Sequence, residues 1–599
     1  MGFWVTGNLL RQSLGKIGMR KKILLLFMMG ALLPGCFLGG CGNRKDRAVE
    51  TVKVEESKKE NTSKEKTEKE KKTGLSEKEK RRLTRGDLYV EAGELTGYAS
   101  DFSLVYDEES EEMKYCLAMP QIPESDDAYL YLFARSCYED EETLGGTPAA
   151  FGPKGTDCEI TFAYKEEYLF QQFIPALLLE GKYVSVGDGI YLSNPEALAG
   201  NREEYPKIAS KKGLLLDPTM LGTEELTDLG VKHAIYNIPL SAIMGETADE
   251  TFPTITYTYQ GEDYLFNGAA INGYDGLFRY LTDSGMCATA IVLNDWNEDY
   301  MELIHPKARD KGVGANYYMF NTAEEKGVKE LEAVAVFLAE RYSDGEHGMV
   351  YNWVIANEIN QFKTWNYMDT NDVAYYTEEF EKGFRIFYQA VKSKYAGAKV
   401  YFSIDHDWNS NGGDNRIYFN ARDLVEGINQ AALKHGNYDW GIAIHPYPNP
   451  LTRVNYWSQE YDKTRDAETL SIMNLNVLTD FLGQEEYLDT KGNIRSITIT
   501  ELGFSSRFGQ KLQAAAFAYC YYITEANPYI EAFIMNRQTD APEEMVQGLA
   551  FGIYEYDHSE KFLKEIFRNI DTDQGEEYTE FMLNILGAES LEEALSWAR

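Results

Sequence analysis

Two rhythms along the chain predict an α/β protein in which a smaller antiparallel, sandwich-like β domain (86–215) precedes a (β/α)8 barrel (216–599). From 86 to 215 short runs such as 128–134 and 182–186 alternate apolar and polar residues with period two, the pattern of half-buried antiparallel strands. After 215, short β-branched runs alternate with longer stretches of helical spacing, which signals βα units around a parallel sheet. Eight strand candidates fit into these last 384 residues, the number that closes a TIM-type barrel. An open dinucleotide-binding sheet is excluded, because no GxGxxG turn follows the first candidate strand.

The chain begins with a segment that reads as a targeting sequence. Met19-Arg20-Lys21-Lys22 supplies positive charge, 23–33 is an apolar run too short to span a bilayer, and Leu38-Gly39-Gly40-Cys41 follows. This resembles a bacterial lipoprotein signal over 1–41, with Cys36 a second candidate whose cleavage motif contains Pro34. The resemblance implies acylation of Cys41, export, and a lipid anchor that holds the protein on the outer face of the cell membrane.

Residues 42–85 are rich in Lys, Glu, Ser and Thr, and 64–72 contain no apolar side chain. They cannot build a core and are expected to form a disordered charged tether. Charge is divided accordingly. Residues 1–85 hold 21 Lys and Arg against 10 Asp and Glu, whereas 86–599 hold 38 against 86. A body that acidic repels phosphate backbones, which argues against nucleic acid as a partner and for neutral substrates. The cysteines beyond the signal, Cys116, Cys137, Cys158, Cys287 and Cys520, show no CxxC pairing, so neither a zinc site nor a disulfide framework is expected.

The eight strand candidates are 231–238, 288–293, 315–320, 351–356, 399–404, 440–444, 496–500 and 530–535. Helices are expected between most of them. The clearest are 323–342, with Val328, Leu331, Val334, Ala335 and Leu338 on one face, and 376–395, with Phe380, Phe384, Phe387 and Val391 at helical spacing. In such barrels the βα loops converge over one mouth at the C-terminal strand ends, so chemistry is sought there.

The fourth candidate ends in Asn357-Glu358, the seventh in Glu501, and the sixth is followed by His445-Pro446-Tyr447. Two carboxyl groups facing one cavity suit retaining glycoside hydrolysis, in which one protonates the leaving oxygen and the other attacks the anomeric carbon. A neighbouring phenol and imidazole can keep the attacking carboxylate ionised while the acid stays protonated. These elements resemble clan A of the (β/α)8 retaining glycoside hydrolases, and the whole is similar to glycoside-hydrolase-like bacterial lipoproteins. The resemblance implies that Glu358 is the acid/base, Asn357 the donor to the sugar 2-OH, Glu501 the nucleophile, Tyr447 its orienting partner and His445 part of the sugar subsite. It also implies a glycosidase acting on β-linked polysaccharides or oligosaccharides, with no cofactor. Strand eight departs from the pattern, ending in Asn536-Arg537 where clan members often place a Trp. Asn294-Asp295-Trp296 stands where an arginine is common after strand two.

Trp296, Trp365, Trp408 and Trp457 fall on expected βα loops, where flat rings suit the apolar faces of pyranoses. Asn294, Asp405 and Asn536 are expected to add polar contacts to sugar. His406 lies between Asp405 and Asp407, but no third imidazole or thiolate stands at ligand spacing, and no metal is expected. The alternative function on the same barrel is a catalytically inactive, polysaccharide-binding surface lipoprotein, motivated by the missing strand-eight Trp.

Overall fold

The computed structural model describes residues 98–139 and 144–598. The expected signal, Cys41 and the tether lie outside the described residues. No helix among the described residues is long and apolar enough to cross a membrane.

The N-terminal region forms two antiparallel sheets. Strands β1 (Ser100–Asp107), β2 (Glu112–Ala118) and β5 (Asp157–Ala163) make one, in the order β1-β2-β5. Strands β3 (Tyr129–Arg135), β4 (Ala150–Pro153), β6 (Gln172–Leu179) and β7 (Lys182–Ser185) make the other, in the order β4-β3-β6-β7. Period two decides which face is buried. Leu130 and Leu132 of β3 are fully buried together with Met113, Tyr115 and Ile160 of the other sheet, while Tyr129 and Tyr131 take the opposite face and pack their rings against Phe151. The region is fixed to the flank of the barrel by polar contacts. Gln389 Nε2 donates to the Leu192 carbonyl at 2.7 Å, the His435 ring contacts the Gly189 carbonyl at 2.8 Å, and the Arg385 guanidinium lies over the Tyr191 ring.

The barrel closes through eight parallel strands: β8 (Lys212–Leu215), β9 (His233–Pro239), β12 (Cys287–Leu293), β13 (Asn352–Ile355), β14 (Lys399–Asp405), β15 (Trp440–His445), β16 (Ile497–Leu502) and β17 (Ile530–Met535). A hairpin, β10 (Ile255–Tyr259) and β11 (Glu262–Phe266), is inserted after β9. Two expectations are corrected here. The first strand is β8, so the barrel begins before the expected 215/216 boundary, and 231–238 is its second strand. The segment 315–320 is not a barrel strand but part of the long loop after β12, held by isolated bridges from Phe320 to Ile304 and from Tyr318 to Tyr367.

The physical reasons are local. Strand β8 has four residues, and its Lys212 is buried because Nζ caps the carbonyls of Phe567 and Arg568 and pairs with Asp571 at 2.5 Å. A Cβ on Gly213 would lie 2.3 Å from Ile534 Cδ1 and 3.0 Å from His233 Cβ, so glycine leaves room for the Ile534 side chain where β8 meets β17. The segment 315–320 is apolar because it folds over the barrel, not because it is paired within it. Inside, Ile235, Ile291, Leu293, Val354, Tyr401, Ala443, Ala532 and Ile534 form one core, with Tyr317 and Trp365 packed onto it. The barrel is therefore a filled core with its polar side chains gathered at the ends.

The helix Glu325–Arg341 buries more than its apolar stripe. Glu330 and Glu332 are 7% and 5% exposed, and burial pushes both carboxyls up to about 7. A carboxyl whose folded value exceeds its unfolded one stabilises the fold at low pH, and that stability is lost as pH rises between about 4.5 and 7. Glu332→Gln should therefore flatten the dependence, raising stability at pH 8 relative to pH 5 by roughly 2–3 kcal/mol compared with the unsubstituted chain. Denaturant midpoints at the two pH values check this.

Candidate active site

The strand β13 stops at Ile355 and the chain then turns sharply. Ala356 and Glu358 both take left-handed backbone conformations, at φ of 63° and 37°, which for non-glycine residues costs of order 1–3 kcal/mol each. The strain is held by hydrogen bonds on every side. The Ala356 N–H donates to the Val292 carbonyl, the Ile359 N–H to the Ser403 carbonyl and the Glu358 N–H to Ser403 Oγ, at 2.9, 2.9 and 3.2 Å. The result is that the Glu358 side chain enters the barrel mouth. Glu501 reaches the same place by a different device: the pairing of β16 with β17 shifts register between Ile499 and Leu502, and such an irregularity re-aims a side chain.

Between the two carboxylates stands His445, 1% exposed. Its Nδ1 lies 2.8 Å from Glu358 Oε1 and 3.8 Å from Glu501 Oε2, so those oxygens are at most about 6.6 Å apart, a bound that admits the separation of about 5–5.5 Å that nucleophilic attack needs. His445 Nε2 faces Thr500 Oγ1 at 3.1 Å and Ser403 Oγ at 3.3 Å. On the other side, Tyr447 OH donates to Glu501 Oε1 at 3.0 Å. Asn536 Nδ2 donates to both Tyr447 OH and Glu501 Oε1, at 3.0 and 3.3 Å. Glu501 thus accepts two hydrogen bonds through one oxygen.

Burial pushes the Glu358 carboxyl above its ordinary range, against the pull of His445. Burial alone would lower His445, but the carboxylates of Glu501, Glu358 and Asp405 outweigh it and hold the imidazole above its usual value. Burial beside Glu501 pushes the Tyr447 phenol well up, so it remains a donor. A carboxyl that burial inclines to keep its proton thus faces a more exposed carboxyl group that accepts hydrogen bonds.

The other expected site residues divide into two groups. Asn357 is half-buried beside Glu358, and Trp365 lies at the barrel top with its ring 5.9 Å from Tyr317. Trp296 is half-buried on the loop after β12, against Tyr318 and beneath the Lys311 ammonium. These three keep partial exposure, whereas Asn536, 4% exposed, gives its amide to Tyr447 and Glu501. Asn294, Asp405 and Trp408 are buried. Asn294 spends its amide on the Leu303 and Met319 carbonyls and pins the loop. Trp408 is fully buried edge-on to Phe481, and Trp457 likewise packs against Tyr456 and Tyr519.

Asp405 accepts from the Asn360 and Gln361 amides and from the Asp407 N–H, at 2.5, 2.8 and 2.8 Å, so it braces the loop and acts on the site through its charge. The ligating atoms of Asp405, His406 and Asp407 lie within 4.8 Å of one another. Gln361 bridges the two carboxylates, however, and Ser410 takes a further Asp407 oxygen. Hydrogen bonds thus occupy both carboxylates of this cluster.

Sequence reasoning missed Ser403, Thr500 and Tyr317. The signal for the first two was present, since both are hydroxyls at inward positions of strands otherwise filled by apolar residues. Tyr317 was hidden by the strand assigned to 315–320.

The loops flanking Glu501 are tied to each other. Lys561 and Asp540 form an ion pair of 2.7 Å with neither side chain exposed, and Lys561 also donates to Ser506 Oγ and the Ala550 carbonyl. Lys561→Met would leave Asp540 buried without its counter-charge, and we expect a loss of about 3–5 kcal/mol, read as a lower thermal midpoint.

Residues 204–594 match the family described as "Family of unknown function (DUF5722)". The chain belongs to this family. No curated protein sequence matches it. Among solved structures, it is similar to a family 39 glycoside hydrolase from the gut symbiont Bacteroides cellulosilyticus WH2, at 12% identity and a TM-score of 0.39, over 78% of this chain and 82% of that one. It is similar to a Bacteroides uniformis β-glucuronidase at 10% identity and a TM-score of 0.35, over 79% of this chain and 49% of that one, so it spans about half of that enzyme. A psychrophilic family 10 endo-β-1,4-xylanase is similar at 12% identity and a TM-score of 0.36, over 60% of this chain and 97% of that one.

Proposed function

We propose that this protein is a retaining glycoside hydrolase acting on β-linked glycans, with Glu501 as nucleophile and Glu358 as acid/base. The observation that carries the reading is the placement of two carboxyl groups, from the ends of β13 and β16, on either side of one buried imidazole, with oxygens no more than about 6.6 Å apart; inverting enzymes hold their carboxyl groups about 6.5–9.5 Å apart to admit water. In the first step Glu501 attacks the anomeric carbon. As that C–O bond forms, the bond to the leaving oxygen breaks and Glu358 delivers its proton to it. In the second step Glu358 takes a proton from water, whose oxygen displaces Glu501 and releases the sugar with its configuration retained. Tyr447 and Asn536 hold Glu501 for attack, and Asn357 is placed to meet the sugar beside Glu358.

The test is release of product from a panel of β-linked oligosaccharides and polysaccharides. Turnover of at least one supports the reading. Tight binding of a glycan with no turnover would favour the alternative, an inactive polysaccharide-binding barrel, for which the absence of a strand-eight Trp at Asn536-Arg537 speaks.

We place the protein on the cell surface as a lipoprotein anchored through Cys41, on the strength of the signal-like 19–41 segment and the basic segment that follows. Cys41→Ala should abolish labelling by a fatty-acid probe and shift the protein out of the membrane fraction. Unchanged labelling would move the anchor to another cysteine.

A further inference from the structure

Ser403 lies at an inward position near the end of β14, fully buried, and it meets both halves of the acid/base apparatus. Its Oγ accepts the Glu358 N–H at 3.2 Å and its carbonyl accepts the Ile359 N–H at 2.9 Å, so one residue clamps two consecutive peptides of the left-handed turn. The same Oγ lies 3.3 Å from His445 Nε2. Among the described residues, that ring nitrogen is the one acceptor recorded within reach of the hydroxyl's own proton.

That arrangement favours one ring nitrogen as the carrier of the proton. An Nε2 that receives the Ser403 hydroxyl proton must offer its lone pair, so the neutral ring keeps its hydrogen on Nδ1, which faces Glu358 Oε1 at 2.8 Å. We propose that Ser403 is a positioning residue for the acid/base: it fixes His445 as the Nδ1–H tautomer that donates to Glu358, and with the same hydroxyl it anchors the strained turn carrying Glu358. Thr500 Oγ1, at 3.1 Å from Nε2, then serves the charged ring, accepting from Nε2–H whenever His445 gains a second proton. The charged groups that face the ring are Glu358, Glu501 and Asp405.

The catalytic consequence rests on the hydrolase reading above, whereas the tautomer does not. With Nδ1–H donating to it, the ionised Glu358 is stabilised. Without Ser403 the ring can turn its proton to Nε2, donate to Thr500 and offer the Nδ1 lone pair to a protonated Glu358. That raises the Glu358 pKa and moves the alkaline limb of the rate profile upward.

The experiment is 15N spectroscopy of the full chain labelled at histidine, with the His445 signals assigned by loss in His445→Gln. The unsubstituted protein should show Nδ1 protonated and Nε2 bare at pH values where the ring is neutral. Ser403→Ala should shift the balance toward Nε2–H, and Thr500→Val should leave Nδ1–H in place. Ser403→Cys, a near-isosteric weak donor, should fall between and guards against a variant that fails to fold. In the same samples Ser403→Ala should raise the alkaline limb of kcat/KM by half a pH unit or more and lower kcat on unactivated substrates about tenfold. An Nε2–H ring in the unsubstituted protein, or an Nδ1–H ring that persists in Ser403→Ala, overturns the proposal. A tautomer shift in a protein that turns over no glycan upholds it and removes the hydrolase reading instead.

Discussion

Glu501→Ala is expected to lose glycoside hydrolysis by roughly 10⁴- to 10⁶-fold in kcat, the scale on which removal of a nucleophile is felt. The loss should be partly reversed by azide. Glu501 is 35% exposed at the mouth, so truncation opens a space that a small anion can enter from solvent, and Tyr447 and Asn536 remain to receive it. The product formed with azide should have the opposite anomeric configuration, because one displacement replaces two. Rates of hydrolysis and the NMR spectrum of the azide product check both parts.

The second large effect is expected at Glu358, and its signature is selectivity rather than simple loss. Glu358→Gln should lower kcat on natural glycans by about 10²- to 10⁴-fold, the typical contribution of a positioned general acid. Aryl glycosides with good leaving groups should lose much less in their first step, since those oxygens depart without a proton. Glu358 is buried beside His445 and its carboxyl is held above the ordinary range. The active form carries the proton, so activity should fall as pH rises through that raised value, and the fall should be absent for activated substrates in Glu358→Gln. The reverse selectivity, with Glu501 variants sparing activated substrates, would exchange the two roles.

The parts of the architecture that were legible in the sequence share a physical cause. Strands β12 to β17 are apolar runs of four to seven residues bounded by polar loops, because both faces of a barrel strand are covered, and their order carries over from pattern to fold. The first strand was not legible. Lys212–Leu215 is four residues long, begins with a lysine and contains a glycine, so it lacks the β-branched signal. The segment 315–320 misled for the opposite reason: Tyr317 to Phe320 are as buried as a strand, yet they cover the barrel instead of joining it.

The same distinction applies at the site. Carboxylates at strand ends are conspicuous, since an acidic residue directly after an apolar run needs a reason, and Glu358 and Glu501 meet around His445. Depth is not written in residue type. Trp408 and Trp365 both fall on loops, but one is sealed against Phe481 while the other lies over the barrel core. Asn294 and Asp405 resemble ligand contacts in sequence, yet their hydrogen bonds go to the chain itself. His445, expected to line a sugar subsite, is buried between the two carboxylates, where its effect on a sugar passes through Glu358.

The most direct test of the central claim is covalent trapping. A panel of activated 2-deoxy-2-fluoro β-glycosides slows both displacements, the second more than the first when the leaving group is good, and so allows the glycosyl ester to accumulate for peptide mass analysis. The account predicts one sugar per chain, attached to the peptide containing Glu501, and no label in Glu501→Ala. A label on Glu358, or turnover with product of inverted configuration and no ester on any residue, would contradict it.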